Sequence, residues 1–233
     1  YGTACKIWDD ISVFKSLDSL LYSLIDEPEL MHALAAKLCD ILLDKYRQYD
    51  EGGLWDGDAY YNHSTSALCD QLKPDHSHVT RSGIWGRGLA QIFATVSPAM
   101  HEEFDITYQK KALAGFGLNY YGCCEPLDKK IDIVAQIPNL RKISITPWAD
   151  IEAASEIIGQ DYVVSVKPNP ALLSGATLDE EAVRKELYRL CTACKRHGCS
   201  FELVLKDIST VGNRPRNLFR WEQIARQVVE ELF

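Results

Sequence analysis

The stretch LNYYGCCEPLDKKIDIVAQIPNLRKISITPWAD, from Leu118 to Asp150, decides the fold class. A β-rich run over residues 118–124 is followed by a helical pattern at about 127–137, and a second β-rich run covers 141–146. A helix between two strands, with short connections, is typical of a parallel sheet built from right-handed crossovers. The stretch therefore predicts an α/β protein.

The same alternation continues on both sides of this stretch. Further helices are predicted at 150–158, 179–196 and 216–232, and further strands at 161–167 and 200–206. Toward the start, apolar stripes predict helices from Leu17 to Ile25 and from Pro28 to Tyr46, the latter stopped by Gly52-Gly53. A strand is predicted from Leu54 to His63 and a helix of about thirty residues from Ser82 to Ala114, with Pro98 as its candidate break. The pattern predicts five strand-helix units.

Two architectures accommodate five such units. A doubly wound nucleotide-binding sheet lacks its usual support here, because no G-x-G-x-x-G pattern follows any predicted strand. The alternative is a (β/α)8 TIM barrel, for which about 250 residues and eight units are typical. We therefore expect residues 1–233 to form a single domain that is the C-terminal five βα units of an incomplete barrel. A first residue that is Tyr1 rather than Met fits that expectation.

Composition limits the classes of partner. The chain has 233 residues, 46% of them hydrophobic, and a formal net charge of −8, which argues against a sequence-independent grip on nucleic acid. No long apolar window or signal peptide is visible, so we expect neither membrane insertion nor export. We predict a cytoplasmic protein whose eight cysteines are reduced thiols, mostly filling the core.

Strand alternation selects residues at the end of the 118–124 strand. Residues 119, 121, 123 and 125 form the more polar set, and we expect this set to face the barrel interior. Tyr121 would then contact substrate, while Cys123 and Glu125 would project to the mouth. Cys124 would pack outward, unless the turn begins early enough to bring both thiols round. Cys123 is predicted to bind a metal or react, the alternative being a small buried hydrophobic residue.

Neighbouring strand ends supply the other candidates. Ser144 and Thr146, like Ser165 and Lys167, alternate with aliphatic residues and are predicted to point inward, with Ser144 and Ser165 as candidate substrate contacts. Lys167 would hold an anionic substrate group, or would form a structural ion pair with Glu125 or Asp207.

Asp58 alternates with Asp56, Tyr60 and Asn62 on the first predicted strand. It is a candidate acid, base or ligand, with a solvated loop as the alternative.

Other patterns suggest structure more than chemistry. Cys191, Cys194, His197 and Cys199 have the spacing of a zinc knuckle, but the first two share one face of an amphipathic helix, so core packing is favoured. His76-x-His78 lies in a polar loop, and a metal site there is the weaker prediction. Trp85, Trp148 and Trp221 are predicted to be packing anchors.

Four segments together resemble one protein family. They are WGRGLAQIFATVSPAMHEEF (85–104), NYYGCCEPLDKKIDIVAQIPNLRKISITPWAD (119–150), YVVSVKPNPA (162–171) and VLKDISTV (204–211). In order and content they resemble the uroporphyrinogen decarboxylase superfamily, and within it the bacterial decarboxylase-like branch related to cobamide-dependent methyltransferases. The resemblance implies a TIM barrel of which this chain would supply strands four to eight.

The resemblance also implies a site. In the methyltransferase members, a His-x-Cys pair after one strand and a later Cys bind zinc, which activates a thiol that accepts a methyl group from a corrinoid protein. Cys123 matches the first cysteine, whereas Tyr121 stands at the histidine and Lys206 and Asp207 stand at the later cysteine. Zinc would therefore need substitute ligands, for which Glu125 and Asp207 are the candidates beside Cys123.

Three functions follow as hypotheses. The first is a cobamide-dependent methyltransferase that acts through a metal-activated thiol, with a corrinoid protein or a small-molecule methyl donor or acceptor as partner. The second is a tetrapyrrole decarboxylase, although the family's arginine-rich substrate segment is missing. The third is a non-catalytic barrel fragment that associates through open strand edges.

Overall fold

A parallel five-stranded sheet forms the centre of the protein. The computed structural model describes residues 4–59, 64–175 and 177–233. The strands are β1 (Trp85–Gly88), β2 (Leu118–Tyr121), β3 (Leu140–Ile145), β4 (Val163–Val166) and β5 (Ser200–Leu203). Their order in the sheet equals their order in the chain, and every neighbouring pair is parallel. The predicted α/β class is confirmed, and the arrangement is consistent with part of an α/β barrel.

Helices precede the sheet and connect its strands. They are α1 (Ile7–Ile11), α2 (Leu17–Asp26), α3 (Pro28–Gly52), α4 (Pro98–His101), α5 (Thr107–Leu113), α6 (Ile131–Val134), α7 (Ile151–Ile158), α8 (Glu180–Arg196) and α9 (Arg216–Leu232). The carboxylates of Asp150 and Asp179 accept backbone N–H groups and begin α7 and α8, while left-handed Gly53 ends α3. None of the described helices combines the length and the apolar character needed to cross a bilayer.

The first strand is not where the sequence predicts it. Within 54–63, the described residues form turns and a single bridge between Leu54 and Val79, and Tyr60 and Asn62 lie outside the described residues. The first strand instead occupies Trp85–Gly88, inside the predicted thirty-residue helix. The rest of that predicted helix divides into α4, a π turn at Glu102–Ile106 and α5. Similarly, the helix predicted at 127–137 is helical only in α6.

Contacts with other elements explain why β1 is a strand. A Cβ atom on Gly86 would lie 2.2 Å from Asn119 Oδ1, and one on Gly88 would lie 2.4 Å from Gln109 Oε1. Because both positions are glycine, β2 and α5 can pack closely against β1. The hydrophobic pattern of the local sequence does not reveal this packing. The outer edge of β1 is bridged by Cys5, whose N–H donates to Arg87 O at 2.7 Å.

The two faces of the sheet differ sharply. The covered face, which packs under helices, carries Ile143, Ile145, Val164 and Val166, and these share a core with Ala154 and other α7 residues. The opposite face, which we name the polar face, carries Arg87, Tyr120, Lys142, Ser144, Ser165, Lys167 and Glu202. Most of these polar-face side chains are buried, so their charges need partners within the protein.

Outside the sheet, α8 and α9 pack on each other through a second apolar cluster. Cys191 belongs to this cluster and Cys194 to the main core, and both are fully buried. His197 contacts Glu152 at 2.9 Å instead of turning toward these cysteines. The prediction of core packing for the zinc-knuckle-like spacing is confirmed.

Candidate functional site

A pocket lies beyond the carboxyl ends of β2, β3, β4 and β5. Its lining includes Cys123, Cys124, Thr146, Trp148, Lys167 and Lys206, and its volume is about 70 Å³. That is several times the roughly 10–15 Å³ that a single water molecule requires. Trp148, predicted to be a packing anchor, is instead 73% exposed at the rim. The carboxyl edge of a parallel sheet is where α/β proteins usually bind ligands.

Gly122 brings both cysteines into this pocket. Strand β2 ends at Tyr121, and Gly122 then adopts a φ of +105°, where a Cβ atom would lie 2.8 Å from Leu127 and 2.9 Å from Ser144. Because the turn begins here, strand alternation no longer applies to the next residues. The Sγ atoms of Cys123 and Cys124 lie 3.6 Å apart, so Cys124 does not pack outward, and the structure forms the alternative in which an early turn brings both thiols round.

Lys206 joins the two thiols. Its Nζ atom donates to the Sγ atoms of Cys123 and Cys124, each at 3.2 Å, and also contacts Asp207 Oδ2 at 3.0 Å. The hydrogen bond from the Cys124 thiol, followed by the charge of Lys206, lowers the pKa of Cys123 to about 5. The pKa of Cys124 is raised, chiefly by the same hydrogen bond. The pair thus carries one thiolate and one thiol at neutral pH.

The charge of Lys206 is itself well supported. Burial opposes that charge, but the contacts with Asp207 and the two sulfur atoms outweigh burial and raise the pKa of Lys206 above its ordinary value. A stable ammonium beside a thiol is an established way to make a cysteine nucleophilic at neutral pH. The site therefore has the chemistry of an activated thiolate.

Glu125 does not project into the pocket. Its carboxylate is fully buried and accepts the N–H groups of Cys123 at 3.0 Å and Ala90 at 3.2 Å. Burial raises the pKa of Glu125 to about 7. The residue holds the turn that presents Cys123, and its predicted position at the mouth is wrong.

The predicted zinc ligands do not converge. Glu125 is turned back toward backbone N–H groups, and Lys206 Nζ lies between the two thiols and Asp207, where a cation would have to bind. Within residues 4–59, 64–175 and 177–233, no group of three or more His, Cys, Asp or Glu side chains is arranged to hold a metal ion. The donor set seen here does not fit zinc unless Lys206 moves away.

Tyr121 lies on the covered face instead of the polar face. Its hydroxyl donates to Asp105 Oδ2 at 2.6 Å and contacts His101 Nε2 at 2.7 Å, and all three side chains are fully buried. Tyr120 occupies the polar face and its ring lies below Lys167 Nζ. The predicted alternation of β2 is therefore out of phase by one residue, and Tyr121 does not line the pocket.

Ser144 and Ser165 point to the polar face, as predicted, but lie beneath the pocket. Ser144 Oγ donates to Cys123 O at 3.2 Å, so this serine supports the cysteine turn. Ser165 Oγ donates to Glu202 at 2.5 Å. Both hydroxyl groups are occupied by protein partners and position other residues of the site.

Lys167 reaches the pocket without an ion pair. Its Nζ atom donates to Ser64 O at 2.5 Å and to Ser165 Oγ at 2.6 Å. Neither Glu125 nor Asp207 contacts it, so the predicted structural ion pair with these residues is wrong. Burial, the largest influence, lowers the pKa of Lys167 to about 7.

Asp58 lies far from this chemistry in a surface turn. Its side chain is 88% exposed and lies 3.4 Å from His76 Nδ1, while its backbone N–H donates to Asp56. The predicted strand that would carry Asp58 inward is not formed. The solvated-loop alternative for Asp58 agrees with this position.

Glu202 is the main site residue that the sequence reasoning missed. Its carboxylate contacts Lys142 at 3.2 Å and accepts hydrogen bonds from Ser165 and Thr65. Those partners lower its pKa despite burial. Alternation along 200–206 places Glu202 in phase with Lys206, and this signal would have found it.

Comparisons with known proteins identify no relative: no protein-family model matches the chain, and no curated protein matches it. The thiolate, the two lysines and the pocket geometry are therefore the features that bear on function. They combine a nucleophile, a cation that activates it and a space for a small substrate.

Proposed function

We propose that this protein is a methyltransferase in which the Cys123 thiolate accepts the methyl group and Lys206, instead of a metal ion, activates the thiol. The observation that carries the proposal is the 3.2 Å contact of Lys206 Nζ with the Sγ atom of Cys123. The resemblance to the uroporphyrinogen decarboxylase superfamily and its methyltransferase-related branch supports methyl as the group transferred. The parallel sheet with its site at the carboxyl edge agrees with a TIM-barrel origin.

The proposed step is a nucleophilic displacement. The thiolate electron pair of Cys123 attacks the methyl carbon, a C–S bond forms, and the bond from that carbon to its carrier breaks with the electron pair leaving on the carrier. A corrinoid held by a partner protein, or a small molecule with an activated methyl group, would supply the methyl. Lys206 stabilises the thiolate before attack, while Glu125 and Ser144 hold the Cys123 turn in place.

Methylcobalamin tests this proposal directly. We expect the protein to remove the methyl group from methylcobalamin and to gain the mass of one methyl group on the peptide that contains Cys123. Cys123→Ser should abolish both signals. Cys69→Ser is the matched control, because Cys69 is a partly exposed thiol remote in sequence from the pocket residues. Undiminished methyl transfer by Cys123→Ser would exclude the proposal.

The second candidate is a decarboxylase acting on a tetrapyrrole. The ammonium group of Lys206 at the pocket suits a carboxylate group, which supports that alternative. The pocket volume of about 70 Å³ favours a small substrate over a tetrapyrrole. Carboxylate-dependent binding of a porphyrinogen, measured by absorbance titration, would support the decarboxylase and count against the methyltransferase.

A further inference from the structure

Lys167 is unusual among the lysines of the site because it is buried without a counter-ion. The residue is 1% exposed, and no carboxylate in the part of the chain that the structure describes forms an ion pair with it. By contrast, Lys142 is paired with Glu202 and Lys206 with Asp207. The charge of Glu202 reaches Lys167 only through the Ser165 hydroxyl, and burial outweighs it, so this environment shifts Lys167 toward the neutral amine.

Hydrogen bonds around Lys167 fit a neutral amine. Ser165 uses its one hydroxyl hydrogen toward Glu202, so its oxygen must accept the bond from Lys167. The backbone carbonyl of Ser64 can only accept. A neutral amine has two hydrogens, and these two bonds use both. Its lone pair is then free to act as a nucleophile.

The pocket offers space and a polar group beside this amine. Lys167 lines the pocket together with Thr146. Thr146 is 4% exposed, and its hydroxyl has no hydrogen-bond partner among the described residues. A buried hydroxyl group is normally hydrogen-bonded, so an oxygen atom of a bound ligand would supply the hydrogen bond that the Thr146 hydroxyl lacks. The nearby thiolate of Cys123 disfavours an anionic ligand, which leaves a neutral polar molecule.

We propose that Lys167 is a second nucleophile of this pocket, which condenses with a small aldehyde or ketone to form an imine. The amine nitrogen attacks the carbonyl carbon, a C=N bond replaces the C=O bond, and the oxygen leaves as water with both amine hydrogens. The lowered pKa of Lys167, about 7, agrees with an amine that is substantially neutral under physiological conditions. This proposal goes beyond methyl transfer and does not depend on Cys123 being the methyl acceptor.

Acetylacetone is a suitable probe, because a neutral lysine amine condenses with a 1,3-diketone to give a stable enaminone and water. Protonated surface lysines react slowly with it. We expect near-stoichiometric labelling of the wild-type protein at neutral pH, seen as new near-ultraviolet absorbance and as the mass of one acetylacetone less one water. Peptide mapping should place the label on Lys167, and the ion-paired Lys142 and Lys206 should remain unlabelled.

Two variants separate this proposal from the others. Lys167→Met should lose the label while keeping the circular dichroism spectrum of the wild type. Cys123→Ser should keep the label, even though it abolishes the proposed methyl transfer. Labelling confined to surface lysines, or equal labelling of wild type and Lys167→Met, would overturn the proposal. Should Lys167→Met fail to fold, the peptide map of the wild type decides the question alone.

Discussion

The Nζ atom of Lys206 lies 3.2 Å from the Sγ atom of Cys123, although 83 positions separate the two residues in the chain. The contact exists because β2 and β5 end at the same edge of the sheet, and because the turn at Gly122 directs the thiol toward that edge. Together with the hydrogen bond from Cys124, this contact lowers the pKa of Cys123. The first three predictions concern this arrangement and what holds it.

Lys206→Met should raise the pKa of Cys123, because the thiolate loses its cation. Alkylation by iodoacetamide at pH 6 should then slow by about tenfold for a rise of about two pKa units, from about 5 to about 7, because the thiolate fraction falls from about 0.9 to about 0.1. Rates measured from pH 4 to pH 9 would give the pKa in each protein. Lys37→Met, at an exposed position on α3, should leave the profile unchanged. Equal profiles for wild type and Lys206→Met would show that the lysine does not activate the thiol.

Gly122→Ala should destabilise the protein, because its φ of +105° and the neighbouring Leu127 and Ser144 leave no room for a methyl group. We expect a loss of about 2–4 kcal/mol in the free energy of unfolding, measured with urea, together with weaker thiolate reactivity. Gly159→Ala is the matched control: its φ is also positive, at +50°, but nothing lies within 4 Å of the added Cβ. That change carries the strain of a positive φ without the steric clash, so it should cost about 1–2 kcal/mol. Similar losses in both variants would contradict the steric argument.

Glu125 should make stability fall as pH rises from about 4.5 to about 7. Its pKa is raised by burial from 4.5 to about 7, so in this range the folded state keeps a proton that the unfolded state has released. The loss amounts to no more than about 3 kcal/mol. Glu125→Gln should flatten the curve of unfolding free energy against pH in that range.

The comparison between wild type and Glu125→Gln isolates this carboxyl group. Cys123 titrates over an overlapping range with the opposite sign, because its lowered pKa of about 5 makes stability rise with pH. Because Cys123 contacts Glu125 and influences its pKa, the two proteins are compared in a Cys123→Ser background, where that contribution is absent. Parallel curves would mean that Glu125 ionises in the folded protein as it does in water.

Tyr121→Phe should reduce stability without changing the thiol chemistry. The change leaves His101 and Asp105 buried without their shared hydroxyl partner, at a cost of about 1–3 kcal/mol. Urea unfolding and iodoacetamide kinetics would measure the two effects separately. Tyr22→Phe, 69% exposed on α2, is the control for losing a tyrosine hydroxyl. If the alkylation rate of Cys123 changed strongly while the free energy of unfolding did not, Tyr121 would act as a substrate contact instead of a structural residue.

The free edge of β5 should promote self-association. In the described residues, β5 pairs only with β4, and its partly exposed Phe201 and Leu203 lie beside Trp221 and Phe233 of the C-terminal region. Sedimentation velocity over a concentration series should therefore show association, which Phe201→Lys should weaken. A dispersed monomer at every concentration would contradict the open-edge prediction.

Much of the α/β pattern could be predicted because local signals and tertiary packing agree there. Strands β2 to β5 and helices α7, α8 and α9 lie where alternation, apolar stripes and the capping residues Asp150 and Asp179 indicate. The burial of Cys191 and Cys194 also follows from helical spacing alone. In these segments each residue's local preference and its final environment point the same way.

Prediction failed where long-range contacts override local pattern. The sequence after Gly88 has a helical pattern, so the predicted helix extends over Trp85–Gly88. Asn119 and Gln109 pack closely on the two glycines of this segment, and these contacts make it the first strand. At the site, alternation placed Tyr121 on the wrong face because β2 is out of phase with the predicted pattern by one residue. It placed Cys124 and Glu125 wrongly because the positive φ of Gly122 ends the strand there.

The sequence alone determined that the chain alternates strands and helices in parallel order, and that Cys123 and Lys167 stand near strand ends. Folding is needed to place Lys206 between the two cysteines, to turn Glu125 inward so that it holds their turn, and to bury Lys167 without an ion pair among the described residues. The alternation of apolar and polar residues along a sequence indicates only whether each residue is buried. The charge state of a thiol or an amine depends on neighbouring groups that folding brings within about 3–4 Å.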